Sequence, residues 1–80
     1  MPQVFLVEHG ANHVARAHSH TEDEVIFVLE GEMWVGDQHC PAGTAIYMEK
    51  DTVYGPLATK EKPVKFLNVR QRKAGVTITR

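Results

Sequence analysis

Apolar residues in this chain never hold helical spacing over ten residues or more. They come in short runs rich in β-branched side chains, each closed by turn formers. Residues 4–7 end at His9-Gly10-Ala11-Asn12, and a second extended stretch covers 13–20 before the polar break Thr21-Glu22-Asp23. Residues 24–30 form the most strand-like run, expected to end at Gly31. Met33-Trp34-Val35 turns at Gly36-Asp37 into Gln38-His39-Cys40, the pattern of a tight hairpin. Residues 44–48, 52–54 and 64–69 are extended in turn, and 76–79 could add a last edge. Short strands at this spacing in 80 residues predict one all-β domain over residues 1–80, an antiparallel sandwich or barrel.

A chain this small buries only about 60% of its unfolded surface, so metal or oligomerisation would help to stabilise it. With 42% hydrophobic residues, 24% charged residues and a net charge of −1, it carries no electrostatic footprint for nucleic acid or an anionic membrane. Its longest apolar runs are about five residues, against the roughly 20 that span a bilayer. The first seven residues lack the basic start and cleavage site of a secretory signal. A single cysteine, Cys40, excludes an internal disulfide, so the expected location is the cytoplasm. Charge is uneven: residues 60–80 hold seven basic side chains and one acidic, while residues 1–59 hold two basic and nine acidic. That segment is either a solvated tail or a region that pairs with the acidic part of a partner subunit.

The chemistry concentrates in His18-Ser19-His20-Thr21-Glu22-Asp23-Glu24. Side chains alternate along a strand, so His18 and His20 project from one face. Glu24 has the same parity and lies just past the polar break. Two imidazoles and a carboxylate converging from neighbouring strands make a ligand set for a divalent metal. A helix would set the two histidines about 200° apart. Three protein ligands also leave coordination positions open, and the residual positive charge would favour an anionic substrate oxygen. The plainer alternative is three polar residues at a strand end.

The spacing His18-x-His20-x3-Glu24-x6-Gly31 resembles the first motif of the cupins. The family form places a glycine where this chain has Asn12, a residue that tolerates left-handed turns. Gly36 and Pro41-Ala42-Gly43 are similar to the second cupin motif, but the histidine expected there is replaced by Tyr54, or by Ile46 if the short spacing applies. The resemblance spans residues 12–69. It implies a jelly-roll, or double-stranded β-helix, barrel with a divalent metal in its mouth. Iron, manganese, zinc, nickel and copper all occur in the family. His18, His20 and Glu24 would be the ligands, with the fourth position open.

Tyr54 could ligate as phenolate or protonate a substrate oxygen; equally, it could pack at the rim without chemistry. Ile26, Val28, Ile46 and Met48 are expected to form an apolar pocket wall, or the same residues are ordinary barrel core; Arg16 shares the parity of His18 and could hold a carboxylate there or equally snorkel to the rim. His9, His13 and His39 lie in or near turns or on the wrong face. Cys40 reads as a packed thiol, and Glu22 and Asp23 as turn residues or as acceptors that orient a ligand histidine. Val25, Phe27 and Leu29 point away from the site, and a second copy of the chain would cover them, so a homodimer is expected. Two functions fit. One is a metal-dependent enzyme of oxygenase (dioxygenase-like oxidoreductase), isomerase or lyase type acting on a small polar organic molecule. The other is a non-catalytic cupin module that binds or senses a metal or metabolite. A metal-free structural barrel is a third reading.

Overall fold

The computed structural model describes residues 2–15, 22–53 and 56–71. Among these residues there are seven strands and no helix: β1 (Pro2–His9), β2 (Val14–Ala15), β3 (Glu24–Val35), β4 (Gln38–Pro41), β5 (Ala45–Met48), β6 (Leu57–Ala58) and β7 (Val64–Gln71). Among the described residues, therefore, no helix is long and apolar enough to cross a membrane. Every pairing is antiparallel, and the strands form one curled sheet, the half-barrel of a jelly roll.

Strand β3 is the spine. Its first half pairs with β7 on one edge and β5 on the other; its second half pairs with β4 and β6. Strand β1 extends the sheet beyond β7, and β2 extends it beyond β6. The expected end at Gly31 is corrected here, because the strand continues to Val35. Gly31 adopts φ +78°, and a β-carbon there would collide with the Pro63 carbonyl. The glycine therefore lets another backbone approach and bends the strand rather than stopping it. Beside it, the register with β7 slips between Val28 and Glu30. An extra residue in one strand reverses the side-chain alternation. Glu24, Ile26 and Val28 face inward before the bulge, and Met33 does so after it.

The core is built on these inward positions. Ile26, Val28, Met33, Cys40, Met48, Leu57, Val64 and Phe66 are buried together, with Val7, Ala15, Val35 and Ile46 packed against them. A two-residue loop, Gly36-Asp37, closes the β3–β4 hairpin with Gly36 at φ +59°. Asn12 takes the left-handed φ of +56° that its place in the motif required. Thr59 fastens the β1–β2 loop: its hydroxyl donates to the Gly10 carbonyl and accepts from the His13 amide, 2.9 Å away.

Other expectations divide. The second extended stretch is seen as Val14–Ala15, and residues 16–20 lie outside the described set. Residues 52 and 53 form no strand, and residues 76–79 are also outside the description. Strand β6 was not foreseen; only two residues long, it carries no alternation to read. Val25, Phe27 and Leu29 do face outward and are partly exposed.

Gly31→Ala should cost on the order of 2–4 kcal/mol, from the left-handed backbone and the clash with Pro63. Thermal unfolding should show the midpoint falling by roughly 10 °C or more. A variant that melts with the wild type would mean that the bend does not depend on this glycine.

Candidate functional site

The inner face of the sheet consists of rows of cross-strand neighbours. One row runs Gln3, Arg70, Glu24, Met48; the next runs Phe5, Asn68, Ile26, Ile46; a third runs Val7, Phe66, Val28. Strands β2 and β6 curl over the β1–β7 side of these rows. Between them is a cavity of about 580 Å³, lined by Phe5, Leu6, Val7, Glu8, His9, Ala15, Glu24, Leu57, Phe66, Asn68 and Arg70. Its size and its apolar lining with a few convergent polar groups are those of a small-molecule site.

The polar groups form a relay. Asn68 Nδ2 donates to Glu24 Oε1 at 2.9 Å, and Arg70 Nε donates to Asn68 Oδ1 at 3.0 Å. Charge on each side orients the amide, its nitrogen toward the carboxylate and its oxygen toward the guanidinium. Arg70 Nε stands 3.9 Å from Glu24 Oε2, so Arg70 reaches Glu24 mainly through Asn68. Glu24 is only 1% exposed, and an anion this deep must be compensated by neighbouring donors and charge. Arg70 also lies over the ring of Phe5, 5.4 Å from its centre.

At the other end of the cavity, His9 stacks obliquely on His13, with ring centres 4.3 Å apart, and meets the edge of Phe66. Burial, and secondarily the charge of His13, holds the His9 imidazole below its ordinary pKa. His9 is therefore a neutral, aromatic part of the wall near neutral pH.

Glu24 is thus at the cavity wall. His18, His20, Arg16 and Tyr54 lie outside the described residues, and among those described no three His, Cys, Asp or Glu side chains gather. Ile26, Val28 and Met48 are buried core residues and Ile46 packs on them, because β5 lies on the edge of β3 away from the cavity. Phe5, Val7, Leu57 and Phe66 supply the apolar lining of this cavity. His39 sits in an exposed group, 2.8 Å from Glu32 and stacked on Trp34, over which Lys60 Nζ lies 4.3 Å from the ring centre. Cys40 is buried, and burial pushes its thiol up. Asp23 accepts from the Lys50 amide at 2.8 Å and from the Tyr47 hydroxyl, which lowers its own pKa and raises that of Tyr47. It ties the start of β3 to the loop after β5.

Sequence reasoning missed Asn68 and Arg70. The signal was present in the alternation of Val64, Phe66, Asn68 and Arg70, which puts two polar side chains on an otherwise buried face.

Comparison with known proteins agrees with this geometry. The model of the ChrR Cupin-like domain matches residues 2–74, and the chain belongs to that family. No curated protein sequence matches it. Among solved structures, the chain is similar to the DMSP lyase DddQ from Ruegeria pomeroyi DSS-3, with a TM-score of 0.78 and 17% identity over 90% of this chain and 39% of that one. It is also similar to KdgF from Halomonas sp., with a TM-score of 0.75 and 18% identity over 94% and 73% of the two chains. A third likeness is to a chain in the complex of Rhodobacter sphaeroides SigE with the anti-sigma ChrR, with a TM-score of 0.78 and 17% identity over 89% and 38%. The chain spans about two fifths of the length of the lyase and of the chain in that complex. These likenesses establish the cupin fold.

Proposed function

Taking a member of the ChrR Cupin-like domain family as the premise, we propose a small cupin that holds a divalent metal through His18, His20 and Glu24 and acts as a metal-dependent enzyme on a small polar organic molecule. The observation that carries this reading is Glu24, a carboxylate buried at the wall of a ligand-sized cavity and held at one oxygen by Asn68. The donor set fits a borderline cation such as iron, manganese, zinc, nickel or copper: two neutral imidazoles and one hard anionic oxygen. A hydrogen bond that fixes the orientation of a ligating carboxylate is the usual support of such a site. When bound, the ion would supply Lewis-acid polarisation of a substrate oxygen. The chain's own residues do the rest. Asn68 holds Glu24, Phe5, Leu57 and Phe66 supply an apolar wall, and Tyr54 is assigned the position of the missing histidine, as a ligand or as a proton donor. Oxygenase, isomerase and lyase chemistry all begin from such a site.

A second reading, a non-catalytic module that senses a metal or metabolite, is favoured by the family match and by the likeness to a chain in the SigE–ChrR complex. Oxygen consumption and product analysis with Fe(II) and candidate small diketones or thiols separate the two. Turnover supports the enzyme, and binding without turnover supports the sensor. The buried Cys40 thiol suits a reducing compartment, and the proposal places the protein in the cytoplasm.

The same proposal includes a homodimer. On the outer face, one row of neighbours runs Val4, Val69, Val25, Tyr47 and the next runs Leu6, Leu67, Phe27, Ala45. Val4, Leu6 and Tyr47 are each at least 60% exposed. Two apolar rows crossing four strands make a patch roughly 15 Å wide, broader than the scattered apolar residues that monomers display. Sedimentation at micromolar concentration should show a dimer, and Leu6→Glu with Phe27→Glu should yield a folded monomer. A monomeric wild type would remove the dimer.

Elemental analysis of natively purified protein should find about one divalent ion per chain. His18→Ala and Glu24→Gln should each lower that content at least about tenfold. Wild-type protein without stoichiometric metal would overturn the metal site.

A further inference from the structure

Resting on the reading of the cavity as the ligand site, we propose that Arg70 is its anion anchor and that the ligand is a small organic acid with an apolar body. Arg70 is on the inner face of β7, beside Glu24 in one cross-strand row, and lines the cavity. If its task were only to neutralise Glu24, a direct two-pronged pair would be the favoured geometry. Instead Nε is spent on Asn68 at 3.0 Å and stays 3.9 Å from Glu24 Oε2. Among the described residues, no acceptor meets the two terminal nitrogens. The guanidinium is therefore oriented by Asn68 along one edge and left with its other donors for something else. Those donors match the two oxygens of a carboxylate.

The surroundings define the remainder of the ligand. Phe5, partly exposed, lies under the guanidinium, and Leu57 and Phe66 continue an apolar surface from it. A ligand can lay a hydrocarbon or aromatic body there while its acid group engages Arg70. Charge favours the same choice. Glu24 and Arg70 cancel formally, so with Glu8 also in the lining a divalent ion on Glu24 would leave the cavity with about one positive charge. A low-dielectric wall makes such an excess selective for anions. Glu8 is on the far side beside His9, so the positive end of the cavity is the Arg70 end.

The experiment compares matched acids and amides, phenylacetate with phenylacetamide and hexanoate with hexanamide. It uses the full chain, metal-free and zinc-loaded, and follows backbone amide resonances of residues 66–70 by NMR. Wild-type protein should bind each acid at least tenfold more tightly than its amide. Arg70→Gln should erase that preference while keeping the amide affinity and the zinc stoichiometry. Arg70→Lys, which keeps the charge but loses the fork, should retain a preference reduced about threefold or more, and it serves as the test if Arg70→Gln does not fold. Equal binding of acids and amides by wild type, or an undiminished preference in both variants, overturns the anchor and leaves the cavity reading standing. Binding of neither class in either metal state overturns the cavity reading and the anchor with it.

Discussion

The fold depends on one strand serving two parts of the sheet. Strand β3 can do so only because a bulge between Val28 and Glu30 reverses its alternation and Gly31 bends it against Pro63. Without the reversal, a strand that buries Ile26 and Val28 would turn Met33 outward and leave β4 and β6 with nothing to pack on. With it, both halves feed one core, and the curled sheet can enclose a cavity. Glu24 opens the strand on the inward parity, so the constraint that builds the core also delivers a carboxylate to the cavity wall.

That placement sets the electrostatics of the site. Among the described residues, β7 brings Asn68 and Arg70 across the sheet to compensate a carboxylate this deep. Asn68 is the hinge of the arrangement, facing an anion with its nitrogen and a cation with its oxygen. The relay keeps the two charges close without collapsing them into a sealed pair, which leaves the cavity polar at one end and apolar along its walls. A closed ion pair would stabilise the fold and offer a ligand little. An open relay offers charge on both sides of the amide.

Much of this was legible in the sequence, for reasons that can be traced. The all-β class followed from short apolar runs and their turn residues. Asn12 in place of the usual glycine foretold its left-handed backbone, and the doubly apolar run at 25–29 foretold an exposed outer face. Gly31 misled because a glycine that ends a strand and one that bends it look alike; the difference is the approach of Pro63, far away in the chain. Which inward residues line the cavity was not legible either. Parity says which face a residue takes, but not which side of the sheet β2 and β6 will cover. Ile26, Val28 and Met48 are packed in the core, one of the two places their pattern allowed, while Phe5, Leu57 and Phe66 line the cavity. Asn68 and Arg70 were readable in principle, since both share the parity of Phe66, but the metal motif drew attention to the other end of the chain.

The central claim is that Glu24 is where the metal binds, together with the histidines that precede it. Anomalous diffraction from a crystal of the natively purified protein, collected at the absorption edge of the ion it carries, tests this most directly. The account predicts one peak about 2.0–2.2 Å from a Glu24 carboxylate oxygen, with His18 and His20 nitrogens at similar range. A peak between His9 and His13, or anywhere away from Glu24, would contradict it.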